Sequence, residues 1–150
     1  MQDDLIRKIA KLMAEQSASY ASLQSLTNQL IAALTRCDPA SIESHARTGE
    51  SELFLMRARL LEITAALTEF GQLRAAQPDA PPLEPEAREA FETQANKLLD
   101  IARSFEKVAG RAASLALGGS SFAAASIQMC GVPASTYRAP ILAFSRGASA

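Results

Sequence analysis

The residues able to do chemistry are few in this sequence and stand apart from one another. His45 is the only histidine of the 150 residues, and Glu43, two positions away, lies on a different helix face. A histidine-rich metal site and the Glu-x-x-His pairs of di-iron bundles are therefore excluded. Since His45 adjoins an apolar row, we interpret it as a partly exposed edge residue.

The two cysteines, Cys37 and Cys130, form no C-x-x-C pair, and two thiols are too few for a disulfide framework. We expect both to be reduced. No basic residue near Cys130 would favour the thiolate form. The sequence Gly118-Gly119-Ser120 lacks the lysine of a phosphate-binding loop. We therefore predict no metal, no cofactor and no enzymatic activity.

The charge pattern excludes nucleic acid as a partner. The chain has 15 Lys and Arg against 16 Asp and Glu, a net charge of -1. Arg103, Lys107 and Arg111 follow one another at helical spacing, but Asp100 and Glu106 interrupt them. Mixed charges of this kind are typical of a solvated helix face, and the basic excess that nucleic acid requires is missing.

The apolar pattern predicts a cytoplasmic protein without a membrane span. No apolar run approaches the roughly 20 residues that cross a bilayer. Asp3 and Asp4 stand where a secretory signal would carry positive charge.

The composition favours helices. The chain contains 30 Ala and 18 Leu but 2 Val, 8 Ile and no Trp, so strong helix formers outweigh the residues that fill sheets. Three apolar rows recur in steps of three and four residues, which is helical spacing. The fold class predicted is all-α, with three long helices in an antiparallel helical-hairpin or coiled-coil bundle. The rows run from Leu5 to Leu34, from Ile42 through Leu60 and Leu67 to Phe70, and from Ala87 to Leu115.

Two breaks are predicted between these helices. Asp38 is a helix-capping residue, and Pro39 suits the first position of the second helix. Residues 77–85 hold four of the seven prolines and cannot be helical.

A further break is expected after Leu117, at Gly118-Gly119-Ser120-Ser121. We therefore divide the chain into a helical bundle domain, 1–117, and an apolar C-terminal tail without acidic residues, 118–150. Docking of this tail on the bundle, binding to a partner and disorder all remain open.

The order of these elements resembles the FlgN-like flagellar export chaperones. The residues that carry the resemblance are the turn 34–42 (LTRCDPASI), the second-helix run 52–61 (ELFLMRARLL) and the third-helix run 96–102 (NKLLDIA). It covers about residues 5 to 117.

The resemblance implies a cytoplasmic, non-enzymatic chaperone that delivers hook-filament junction proteins to the flagellar type III export machinery. It also implies that the cargo's C-terminal helical segment lies against the third helix, at Leu98, Ile101, Phe105 and Val108. The competing interpretation is a structural or adaptor coiled coil in which the same apolar rows form a homo-oligomer.

Overall fold

The computed structural model describes residues 1–129, with side chains through residue 121. It consists of three helices, α1 (Gln2–Arg36), α2 (Pro39–Ala76) and α3 (Pro85–Met129). Residues 1–129 contain no strand. The predicted all-α class and its three long helices are confirmed.

Helix α1 ends in a Schellman motif. Cys37 adopts the left-handed conformation, with φ of 53°, and its N–H donates to the carbonyl of Leu34 at 3.1 Å. The N–H of Asp38 donates to the carbonyl of Ala33, also at 3.1 Å. Both bonds satisfy carbonyls that the end of a helix leaves without partners. The chain can therefore reverse within two residues.

Asp38 then caps α2, as its position before Pro39 predicts. Its carboxylate accepts the N–H of Ser41 at 3.2 Å and the Ser41 hydroxyl at 2.7 Å. The first of these bonds satisfies one of the N–H groups that the first turn of a helix leaves without a partner.

The described chain folds as two compact units. The first unit comprises Met1–Ala21 and Phe54–Arg103. Within it α1 and α2 are antiparallel, because Lys8 pairs with Glu62 whereas Gln16, further along α1, bonds the carbonyl of Met56. The core of this unit contains Ile6, Ile9, Leu12 and Met13 of α1, Ile63 and Ala66 of α2, and Ala87 of α3.

The proline-rich connection is fastened to the start of α1 in the same unit. The Asp3 carboxylate accepts the N–H of Glu84 at 2.9 Å, and Arg7 forms an ion pair with Glu84. Leu83 packs against the core, and Arg74 donates to the carbonyl of Pro81 at 3.1 Å. These contacts fix where α3 begins.

The second unit comprises Ser22–Leu53 and the chain from Ser104 onward. Its buried positions on α3 include three alanines, and small side chains allow helix axes to approach closely. Gln24 of α1 donates to the Ser104 hydroxyl at 3.2 Å. The buried apolar residues described in this unit are Leu23, Leu30, Ile31, Ala33, Ala46, Phe105, Ala109, Ala112 and Ala116.

The predicted break after Leu117 is wrong. Helix α3 continues through Gly118 and Gly119 to Met129. Each glycine costs roughly 1 kcal/mol relative to alanine inside a helix, but the surrounding alanines are the strongest helix formers. The remainder of the predicted tail, 130–150, lies outside the described residues.

The predicted apolar rows also deviate at three leucines. Leu60, Leu67 and Leu115 are exposed rather than buried. On α2 the predicted Ile63 is buried, but the buried row continues at Ala66 rather than at Leu67, because helical positions drift around the axis relative to a strict 3.5-residue repeat.

The left-handed Cys37 yields a stability prediction. Replacing Cys37 with glycine removes the β-carbon clash of this conformation and should raise the free energy of unfolding by about 0.5–1 kcal/mol. Urea denaturation measures the change. Cys37→Ala keeps the β-carbon and is the matched control, which should not show this gain; equal stability of the two variants would contradict the explanation.

The Asp38 cap yields a pH prediction. The pKa of Asp38 is lowered below its ordinary value. The largest cause is the hydrogen bond from the Ser41 hydroxyl, followed by that from the Ser41 N–H, and the charge of Arg36 contributes as well. A lowered folded-state pKa stabilises the fold above the unfolded-state pKa, and this stabilisation is lost as the pH falls through the folded-state pKa. Asp38→Asn still caps the helix but does not titrate. The Tm of the parent should therefore fall relative to that of Asp38→Asn as the pH drops below about 5. Parallel curves of Tm against pH for the two proteins would contradict the assignment.

Candidate functional site

The four residues predicted to bind a partner lie on α3, but largely within the protein's own packing. Phe105 is only 4% exposed. Leu98 is half-buried and packs against the core of the first unit. Ile101 is half-buried in the first unit, and Val108 is half-buried in the second. A partner at Phe105 would therefore have to replace contacts that the chain already makes.

Two reactive side chains, His45 and Cys37, lie among the described residues. His45 is half-buried on α2, and Cys37 is an exposed free thiol. Within the described residues, no group of three His, Cys, Asp or Glu side chains could hold a metal ion. The residues Arg103, Lys107 and Arg111 are exposed, as expected for a solvated face. Cys130 lies outside the described residues.

The most exposed apolar surface of the first unit is on α2. Phe54 and Leu61 are each 73% exposed, and seven residues, about two helical turns, separate them. Ala58 and Ala65 lie on the same helix face and are exposed as well. We call Phe54, Ala58, Leu61, Ala65 and Thr68 the outward stripe.

Two threonines extend the apolar character of this surface. The hydroxyl of Thr64 donates to the carbonyl of Leu60 at 2.8 Å, and that of Thr68 donates to the carbonyl of Thr64 at 2.9 Å. Both hydroxyls are thus bonded to their own helix. The hydroxyl of Thr68, the polar group of the outward stripe, is therefore already bonded within α2.

On the side of α2 that faces α1, polar contacts fix the position of the helix. Gln16 is 2% exposed, and its amide donates to the carbonyl of Met56 at 3.1 Å. Arg59 donates to the Gln16 amide oxygen at 3.1 Å and to the Ser19 hydroxyl at 2.8 Å. Glu15 lies 3.7 Å from Arg59. Buried polar groups need specific partners, so this cluster fixes which side of α2 faces α1.

The outward stripe was missed by reasoning from the sequence, although a signal for it exists. The run 52–61 supplies more large apolar residues than one buried row can use. Met56 fills the inward row, whereas Phe54, Leu55 and Leu61 lie outside it and are exposed. An apolar excess on a second face of a helix indicates a further contact surface.

The search for similar proteins gave no match to this chain among protein-family models, curated proteins or solved structures. In the part of the chain that the structure describes, no helix has the length and apolar content to cross a membrane.

A pair of alanine substitutions tests whether the outward stripe is free of internal contacts. Leu61→Ala should change the free energy of unfolding by no more than about 0.5 kcal/mol, because Leu61 is largely exposed. Ile63→Ala, two residues away on the buried side, should cost about 2–5 kcal/mol. Chemical denaturation at low protein concentration measures both values. A cost for Leu61→Ala comparable to that of Ile63→Ala would show that the stripe is internal.

Proposed function

We propose that this protein is a cytoplasmic, non-enzymatic chaperone of the flagellar export type, which binds the C-terminal helical segment of a hook-filament junction protein. Three long helices joined by a tight turn and a proline-rich connection agree with the architecture that the resemblance implies. The chemistry of the proposed function is recognition of an amphipathic helix, which requires apolar anchors and no reactive groups.

The outward stripe is the observation that carries this proposal. Helix recognition uses anchors at i, i+3, i+4 and i+7, and the spacing of Phe54, Ala58 and Leu61 follows that rule. Ala58 and Ala65 leave room for a second backbone to approach between the large side chains. Burying the exposed parts of Phe54 and Leu61 would contribute about 2–4 kcal/mol together.

We place the cargo on α2 rather than on the α3 residues that the resemblance suggests. Phe105 is buried and Leu98 packs against the core. Cargo binding at these residues would therefore require the chain to break contacts that it already makes. The outward stripe is exposed before any partner arrives. Cargo binding on α2 therefore leaves the packing of the bundle intact.

Binding of a cargo peptide tests the proposal. The probe is a fluorescently labelled peptide containing the C-terminal helical segment of a hook-filament junction protein from the same genome. Leu61→Ser should weaken binding by about tenfold or more, since burying a leucine contributes at least one factor of ten. Fluorescence anisotropy against increasing full-length protein gives the Kd.

Leu99→Ser is the matched control for this experiment. Leu99 is an exposed leucine of α3 in the same unit, outside the outward stripe, and its loss should leave the peptide affinity unchanged. Absence of peptide binding to the parent protein would contradict the proposed function. Binding that survives Leu61→Ser but is lost in Leu98→Ser would place the cargo on α3 instead.

A further inference from the structure

The outward stripe has the spacing of one half of a coiled-coil seam. Its residues follow one another in steps of four, three, four and three, so Phe54, Leu61 and Thr68 take d positions and Ala58 and Ala65 take a positions. The three helices of the chain leave this seam exposed. A second helix carrying the same heptad pattern would complete it.

One pair of charges beside the seam, Arg57 and Glu62, is complementary between two copies. Arg57, before Ala58, is a g position, and Glu62, after Leu61, is an e position. In a parallel coiled coil, the g residue of one helix meets the e residue five positions further along the other. Arg57 would then face Glu62 of the partner subunit, in addition to the interaction that it already makes within its own chain, and two-fold symmetry would form this ion pair twice.

An antiparallel pair lacks this complementarity. In that orientation g positions meet g positions, so Arg57 would lie beside Thr64 of the partner subunit. Glu62 already approaches Lys8 at 3.7 Å, but both side chains are more than half exposed and such surface pairs are weak. A second cation at Glu62 would extend this pair into a network.

We propose that two copies of the chain associate in parallel through the outward stripe of α2, with Arg57 paired to Glu62 of the partner subunit. The seam spans 15 residues, about 22 Å of helix, and therefore belongs with small interfaces that associate reversibly. Association of the two copies does not rest on the proposed chaperone function. Where that function holds, cargo and the second copy exclude each other, because they occupy the same residues.

Sedimentation equilibrium of the full chain tests the association, over about 1 to 300 μM protein, a range suited to weak dimers. The average mass should rise with concentration from one chain toward two. Leu61→Ser should lower the dimer association constant at least about tenfold, whereas Leu99→Ser should leave it unchanged. A parent protein that stays monomeric throughout, or a dimer unaffected by Leu61→Ser, overturns the proposal.

Charge reversal tests the parallel orientation. Arg57→Glu and Glu62→Arg should each weaken the dimer about three- to tenfold, because each places two pairs of like charges together across the seam and exposed charge pairs are individually weak. The double variant Arg57→Glu/Glu62→Arg should restore association to within about threefold of the parent, since the opposite charges meet again. If the losses of dimer association free energy in the two single variants add in the double variant, the parallel pairing is overturned. A chain that dimerises in this way without binding the cargo peptide would contradict only the chaperone function.

Discussion

Burial of the apolar row of α1 is the interaction on which the rest of the structure depends. An amphipathic surface helix buries one apolar stripe, and the hydrophobic effect makes that burial the dominant favourable contribution. In the first unit Ile6 and Ile9 of α1 lie in the core, and in the second unit Leu23 and Leu30 do. Among residues 1–121, whose side chains the structure describes, α2 and α3 each contribute fewer large buried residues. Both helices therefore pack mainly against the buried apolar side chains of α1.

The apolar residues of α2 fall into two groups, one that stabilises the fold and one that is exposed to solvent. Met56 and Ile63 face inward and stabilise the fold, whereas Phe54 and Leu61 face solvent and contribute little to it. A residue that does not stabilise the folded chain can still be retained for contact with another molecule. Recognition by shape and apolar contact is therefore the function that we propose for this surface.

Much of the fold follows from local patterns in the sequence. The Asp38-Pro39 pair predicts the start of α2, and the prolines of 77–85 predict the connection, because capping and proline sterics act within a few residues. The continuation of α3 through Gly118 could not be predicted, since a glycine penalty of roughly 1 kcal/mol is small beside the preferences of its neighbours. Periodicity likewise finds an apolar face but does not say which of two faces another helix covers. The exposure of Phe54 therefore required the structure, whereas the burial of Phe105 follows from its place in the apolar row of α3.

The polar cluster of Gln16 and Arg59 has a consequence for the rotation of α2 about its own axis. With apolar residues on two sides, α2 could turn its outward stripe toward α1 and still bury hydrophobic surface. Such a rolled helix would leave the buried amide of Gln16 without the Met56 carbonyl, and an unsatisfied buried polar group costs about 1–3 kcal/mol. The hydrogen bond of Gln16 thus fixes the rotation of α2 about its axis. It adds little to the apolar surface that the fold buries, but it determines which face of α2 is exposed to solvent.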